Sequence, residues 1–275
     1  MSEINENGMT LNYEVSGKGP ITLVFVHGSY IDQTYWKKQV SDFKDHYQVI
    51  TLDLPGHGKS RQNRKDWEIQ RFADDLIFLI KKLELRNVIL IGHSIAGNIC
   101  LMAAVKYPDP IVGLIGIDTF KNAGIPITAE FKQQTEGIKK GLLSDFADTN
   151  EKYARTALLT PSTPNHLVKK VIKDYRNAYP PMGIQTTAEF FEIDKMEKEL
   201  LPRLSLKLYL INVNYIPTNE AALMQLKGKD YQLNILNGTS HFPMLEHPDE
   251  LNIALQLDIS RIENDIQSTP GTAKG

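Results

Sequence analysis

Ser94 sits in "VILIGHSIAGNI", residues 88–99, where an apolar run from Val88 to Ile91 stops at Gly92-His93-Ser94 and resumes as "IAGNICLMAAVKY". The run has the composition of a buried strand and the continuation that of a helix, so the serine is expected at the apex of a tight turn, where glycine relieves crowding. A serine hydroxyl is a weak nucleophile at neutral pH. To attack a carbonyl it needs a base within hydrogen-bond reach, a third group to orient that base, and donors for the oxyanion. The strand-turn-helix context meets part of the last need, because the Ile95 amide points to the same place as the hydroxyl. A bare G-x-S is common by chance; its place between a strand and a helix gives it meaning.

The elements that must position this serine follow from patterning. Strand-like segments alternate with helical ones, which favours a mostly parallel sheet flanked by helices. The strands are expected at "ITLVFV" (21–26), "YQVITLD" (47–53), "NVILIG" (87–92), "IVGLIGI" (111–117), "LKLYLINV" (206–213) and "YQLNIL" (231–236). Between the second and third, Asp66 is expected to cap a helix with Ile69, Phe72, Leu76, Leu79, Ile80 and Leu83 on one face. From about Lys121 to Arg203 the alternation breaks into helical patterns punctuated by Pro161, Pro164, Pro180 and Pro181, a stretch too long and periodic for a loop. The division expected is a core of 1–120 and 204–266, a helical insertion of 121–203 serving as a cap or lid, and a small polar tail of 267–275.

"VFVHG", "LDLPGHGKS", "LIGHSIAGN" and the late "GTSHFPMLEHPDEL", in that order, resemble the α/β-hydrolase superfamily, in its capped branch of small esterases. The resemblance spans nearly the whole chain outside the insertion. It implies Ser94 as nucleophile, His241 as general base, and the amides of Ile95 and Ser29 as oxyanion hole, with serine first and histidine last in chain order. Of the seven histidines, His241 follows the last strand on a flexible loop that leads into a final helix. His27 and His57 sit in glycine-rich turns as stabilising donors, His93 packs beneath the serine, and His46, His166 and His247 read as surface or helix-end residues.

Two departures from the family pattern stand out. The small residue two places after the nucleophile is Ala96 where glycine is usual. The triad acid is missing from its usual loop after "LKLYLINV", where Asn214 stands and Glu220 is the one carboxylate nearby. Asparagine accepts a hydrogen bond from histidine but cannot offset an imidazolium charge. Asp118, ending "IVGLIGID", offers the acid from an earlier strand, as in some family members. Asp118 ranks first for orienting His241, Asn214 is the alternative, and Glu220 ranks third because it belongs to the following helix.

A net charge of −2 and the absence of a long basic block give little electrostatic reason for nucleic acid. "RQNRK" (61–65) reads as a solvated loop. The opening "MSEINENGMT" lacks a basic start and apolar run, and no apolar stretch is long enough to span a bilayer, so a cytoplasmic, membrane-free protein is expected. Cys100 is the single cysteine and reads as a buried hydrophobe. "GKS" at 58–60 is not a phosphate loop, since Asp53 occupies the first glycine position. No histidine pair has metal-ligand spacing, and no cofactor is implied.

The expected partner is a small, mostly apolar substrate. Tyr30 and Trp36 are pocket candidates beside the oxyanion hole, and Phe131, Phe146, Tyr153, Leu158, Leu159, Tyr175, Phe190 and Phe191 are candidates within the insertion. Three functions fit: a serine esterase acting through an acyl-enzyme, a carbon-carbon bond hydrolase or lyase using the same serine and histidine, and a ligand-binding or signalling protein with weak turnover, which Asn214 motivates. Epoxide hydrolysis and dehalogenation are disfavoured, because those family members carry aspartate in place of Ser94.

Overall fold

The computed structural model of the protein describes residues 2–6, 9–60 and 64–268. An eight-stranded sheet runs in the order β1-β2-β4-β3-β5-β6-β7-β8. Its strands are β1 (Ser2–Glu6), β2 (Met9–Ser16), β3 (Thr22–Val26), β4 (Gln48–Leu52), β5 (Val88–His93), β6 (Ile111–Ile117), β7 (Leu208–Val213) and β8 (Tyr231–Leu236). Strands β3 to β8 are mutually parallel and match the six apolar runs. A parallel strand covered on both faces must be apolar on both, so β3 to β7 read as largely hydrophobic runs, whereas the edge strand β8, half-buried, carries Gln232 and Asn234.

The first two strands were not anticipated. They form an antiparallel hairpin, with β2 also antiparallel to β4. In β1 Ile4 is buried while Ser2, Glu3 and Asn5 are exposed, and this half-wetted alternation in a short polar segment is a weak signal.

Helices α1 (Lys37–Phe43), α2 (Ile69–Lys82), α3 (Ile95–Lys106) and α11 (Pro248–Ser268) flank the sheet, α2 packing with α3 and α1 with α11. In α2 the side chains of Ile69, Phe72, Leu76, Leu79 and Ile80 are buried, each worth about 1.5–3 kcal/mol against exposure. Asp66 does not cap this helix. It lies too early, accepting from the Glu68 amide at 3.2 Å and from Arg71 at 2.7 Å. The Ile69 amide donates instead to Glu189 Oε2 at 2.7 Å, and the Trp67 amide to Gln185 Oε1 at 2.9 Å.

Residues 61–63 of "RQNRK" lie outside the described residues. Arg64 is not solvated: it pairs with Asp75 at 2.8 Å and lies 4.8 Å over the Trp67 ring. Burial pushes the Asp75 carboxyl up to about 6 despite that partner. Gln267 and Ser268, expected in the tail, complete α11, and 269–275 lie outside the described residues.

Between β6 and β7 the chain forms α4 (Ala129–Ser144), α5 (Phe146–Tyr153), one π-helical turn (Ala154–Leu158), α6 (Asn165–Arg176), α7 (Pro180–Phe190) and α8 (Asp194–Leu200). Both Glu189 and Gln185 belong to α7, so these helices are fastened to the start of α2 by side-chain to backbone bonds. Beyond β7 come α9 (Glu220–Lys227) and the single turn α10 (Pro243–Glu246). Among the described residues no helix is long and apolar enough to cross a membrane.

Candidate active site

The chain leaves β3 toward β4 on one side and reaches β5 on the other, so β3 and β5 flank the switch point, outside whose carboxyl ends α/β sheets place ligands. Ser94 follows β5 there, with φ 57° and ψ −128°. For a residue with a Cβ this backbone costs on the order of 1–3 kcal/mol and persists only where its surroundings hold it. Ser94 N donates to Ile117 O and Gly97 N to Ser94 O, both at 2.9 Å. Two glycines make room: a Cβ on Gly28 would lie 2.7 Å from His93 Nδ1 and 3.1 Å from Ser94 Cβ, and one on Gly92 would lie 2.5 Å from Ala96 O. Ala96 itself is fully buried in the turn. Ile95 opens α3, so its amide has no acceptor within the helix.

His241 lies between β8 and α10. Its amide donates to Leu158 O at 3.0 Å, and its ring Nδ1 meets Asp118 Oδ2 at 2.5 Å. Asp118 follows β6 directly at φ 48° and has a side chain only 1% exposed. Its Oδ1 accepts from the Val213 amide at 3.2 Å and from Lys121 Nζ at 2.7 Å. Lys121 also donates to the carbonyls of Val213 and Ile216, each at 2.8 Å, and lies 4.5 Å over the Tyr215 ring. Burial alone would raise the Asp118 carboxyl, but the contacts with His241 and Lys121 outweigh it and hold it below the usual carboxylate range. With a carboxylate on Nδ1, the proton of neutral imidazole is held there and Nε2 is left as the acceptor.

Of the two candidates for orienting His241, the geometry brings Asp118 to it and takes Asn214 away. Asn214 is exposed, its Nδ2 donates to Asn237 Oδ1 at 2.7 Å, and its amide extends the β7–β8 ladder to Leu236 O. Glu220 opens α9, with Oε2 3.5 Å from the Tyr231 hydroxyl.

His93 packs against His241 with ring centroids 4.5 Å apart and the rings tilted by 46°, and its Nε2 donates to His241 O at 2.8 Å. Burial lowers the His27 and His57 rings to about 4 and about 3, so both are neutral at pH 7. The Leu54 amide donates to His27 Nε2 at 2.9 Å, which leaves the ring proton on Nδ1; that nitrogen donates to Gly28 O at 2.8 Å, and His57 Nδ1 donates to Pro55 O at 3.1 Å, so both rings are donors in their turns as expected.

Two supporting residues escaped the sequence reading. Asn212, fully buried at the end of β7, accepts from the Thr119 amide and donates to Thr119 O, both at 3.0 Å, locking the turn that carries Asp118. Its signal was a polar residue in an apolar strand. Glu246 accepts from the Ser240 hydroxyl and amide and from the Thr163 hydroxyl, so it braces the loop of His241.

Ser94, Asp118 and His241 line one cavity of about 580 Å³. Phe131, Tyr153, Leu158, Phe190 and Phe191 supply apolar wall, as expected of them. Tyr175 and Tyr30 meet Ser94, Ser29 and His241 in a smaller adjoining recess, and Ser29 shares another with Ile95. Phe146 packs on Tyr30 at 6.0 Å, and neither it nor Leu159 lines the main cavity. Trp36 is not a pocket residue. The single turn from Gln33 to Trp36, capped by Asp32, directs its indole into the core, 5.2 Å from Phe25 and 6.4 Å from His93.

The α/β-hydrolase fold family matches residues 21–192, and the chain belongs to that family. It is 33% identical over 137 residues to (E)-2-((N-methylformamido)methylene)succinate hydrolase of Acinetobacter baylyi; the match covers 50% of this chain and 52% of that one, about half of the relative's length. Karrikin insensitive 2 receptor CA of Petunia hybrida is 21% identical over 266 residues, covering 93% of this chain and 96% of the receptor. Among solved structures, a thermophilic esterase from Thermogutta terrifontis superposes with a TM-score of 0.80 at 23% identity, over 95% of this chain and 99% of that one, a likeness of fold.

Proposed function

We propose that this chain is a serine esterase for small, mostly apolar esters. Ser94 Oγ attacks the ester carbonyl carbon while His241 Nε2 takes its proton, and the oxyanion is received by the amides of Ile95 and Ser29. The tetrahedral adduct collapses as His241 returns that proton to the departing alcohol, leaving an acyl-serine. Water, deprotonated by His241, then attacks the acyl carbon, and Ser94 leaves with the proton. Asp118 holds the imidazole in the required tautomer and offsets its charge, and the helices between β6 and β7 close the cavity as a cap.

The observation that carries this reading is the Asp118 to His241 contact at 2.5 Å on the wall of the cavity that also contains Ser94. The test is release of nitrophenolate from a short-chain nitrophenyl ester. Turnover abolished by Ser94→Ala supports the reading, and turnover indifferent to that change refutes it.

A second reading, hydrolysis of a non-ester bond by the same serine and histidine, draws support from the partial match to the succinate hydrolase of Acinetobacter baylyi. The near full-length likeness to a receptor keeps ligand binding with weak turnover as a third. Asn214 lends that third reading no support, since it is bonded to Asn237 at the surface.

A further inference from the structure

Asn98 and Glu197 meet on the wall of the Ser94 cavity, and the proposed reaction uses neither. Asn98 lies one helical turn past Ser94 on α3 and is 1% exposed; Glu197 comes from α8, which packs on α3, and is 5% exposed. Glu197 Oε2 accepts from the Gly124 amide at 2.9 Å, and the Asn98 side chain acts on the same carboxyl, favouring its charged form. Asn98 Oδ1 has no partner among the described residues. An amide and a carboxyl together offer more donors and acceptors than these bonds use, and a buried polar group left unmet is unfavourable. A bare alkyl chain packed over the pair would leave that capacity unmet.

The charges of the cavity narrow the class of ligand further. Its wall carries the carboxyls of Asp118, Asp194 and Glu197, and its lysine, Lys121, is engaged by Asp118 and by two backbone carbonyls. An entering anion would meet negative charge without a cation to offset it. Burial pushes the Glu197 carboxyl up to about 7, so near neutral pH it is partly protonated and can donate as well as accept. The matching group is uncharged and combines donor and acceptor in one atom, which describes a hydroxyl.

We propose that Asn98 and Glu197 form a specificity wall that selects an uncharged ester carrying a hydroxyl on the arm entering this cavity, over bare alkyl and carboxylate-bearing counterparts. The inference rests on the serine esterase reading. It deepens that reading by naming a substrate class.

The test uses the full chain and two ester series, one varied in the acyl arm and one in the alcohol arm, each with an alkyl member and its ω-hydroxy and ω-carboxy counterparts. The hydroxy member is expected to exceed the alkyl member in kcat/KM by about tenfold in one arm, with the carboxy member below both. Asn98→Leu and Glu197→Met should bring the hydroxy-to-alkyl ratio to about one, mainly through KM. Glu197→Gln, which keeps an acceptor for Gly124 and supplies a donor, should retain a preference. Each ratio is taken within one variant, so loss of folded protein cancels. A flat ratio in both arms of the parent protein, or an unchanged ratio in Asn98→Leu, overturns the proposal. Flat ratios with turnover that depends on Ser94 remove this inference alone, whereas turnover that survives Ser94→Ala removes the esterase reading and this inference with it.

Discussion

Replacing Asp118 by asparagine tests the site most severely, because Lys121 dictates which way the new amide must face. Oδ1 of Asp118 receives Lys121 Nζ at 2.7 Å and the Val213 amide at 3.2 Å, while Oδ2 receives His241 Nδ1 at 2.5 Å. In Asp118→Asn the carbonyl oxygen must stay with the ammonium and the backbone amide, since an NH2 group there would oppose two donors. The NH2 group is then presented to His241 Nδ1 and makes it an acceptor, which moves the imidazole proton to Nε2, the nitrogen that receives the Ser94 proton in the proposed reaction. The same tautomer error costs about 10⁴ in kcat in a serine protease with a Ser-His-Asp triad, or about 5 kcal/mol of transition-state stabilisation, and a loss of that order is expected here. Folding must be measured beside it. Lys121 loses the charge of its partner in a site only 14% exposed, and breaking a buried pair costs about 3–5 kcal/mol, with this lysine at the lower end. Adding Lys121→Met should recover most of the lost Tm and none of the lost kcat. The assay is nitrophenyl ester hydrolysis under saturating substrate, with circular dichroism melts on the same samples. Folded Asp118→Asn with kcat within tenfold of the parent would refute the reasoning, as would rescue by Asn214→Asp.

Further outcomes follow from contacts outside the triad. Asn214→Ala should leave kcat within about twofold of the parent and stability within about 0.5 kcal/mol, as for a surface position away from special features; a large fall in kcat would return Asn214 to the site. Glu189→Ala removes the acceptor for the first amide of α2, 2.7 Å away, and should cost about 1 kcal/mol in urea unfolding, the usual worth of a helix cap. The Glu197 carboxyl is raised from 4.5 to about 7 by folding, so its contribution is fully present below the unfolded value and is lost as pH rises through the folded one. Linkage puts that loss at roughly 3 kcal/mol, and Glu197→Gln should flatten this part of the pH dependence of stability.

Strands β3 to β7 could be read in the sequence because burial on both faces writes itself as largely apolar runs, β8 because its apolar residues alternate with polar ones, and Ser94 because a strand, a turn and a helix converge on it. The β1–β2 hairpin was missed because an edge hairpin is half wetted. The acid could be ranked, with Asp118 ahead of Asn214, but not fixed, because the choice depends on β6 and β7 lying side by side and on where the chain bends at their ends. Trp36 and Arg64 were misplaced for a related reason. An indole beside a turn can point into the core or into a pocket, and a guanidinium in a polar run can fold back over Trp67. Asn98 did leave a trace, as the one amide in the otherwise apolar "IAGNICLMAAV". Its partner, however, is about a hundred residues away in α8.

The bond from the His241 amide to Leu158 O, 3.0 Å long, joins the loop of the candidate base to the π-helical turn of the inserted segment. Both atoms belong to the backbone, so substitution of the Leu158 side chain leaves donor and acceptor in place. Adding or removing a residue within α5 or the π-helical turn, which run without a break into Leu158, shifts the carbonyl along the turn and withdraws it from His241. Loop grafting and chimera building at this insertion are therefore governed by chain length up to that carbonyl, and the composition of the transplanted helices comes second.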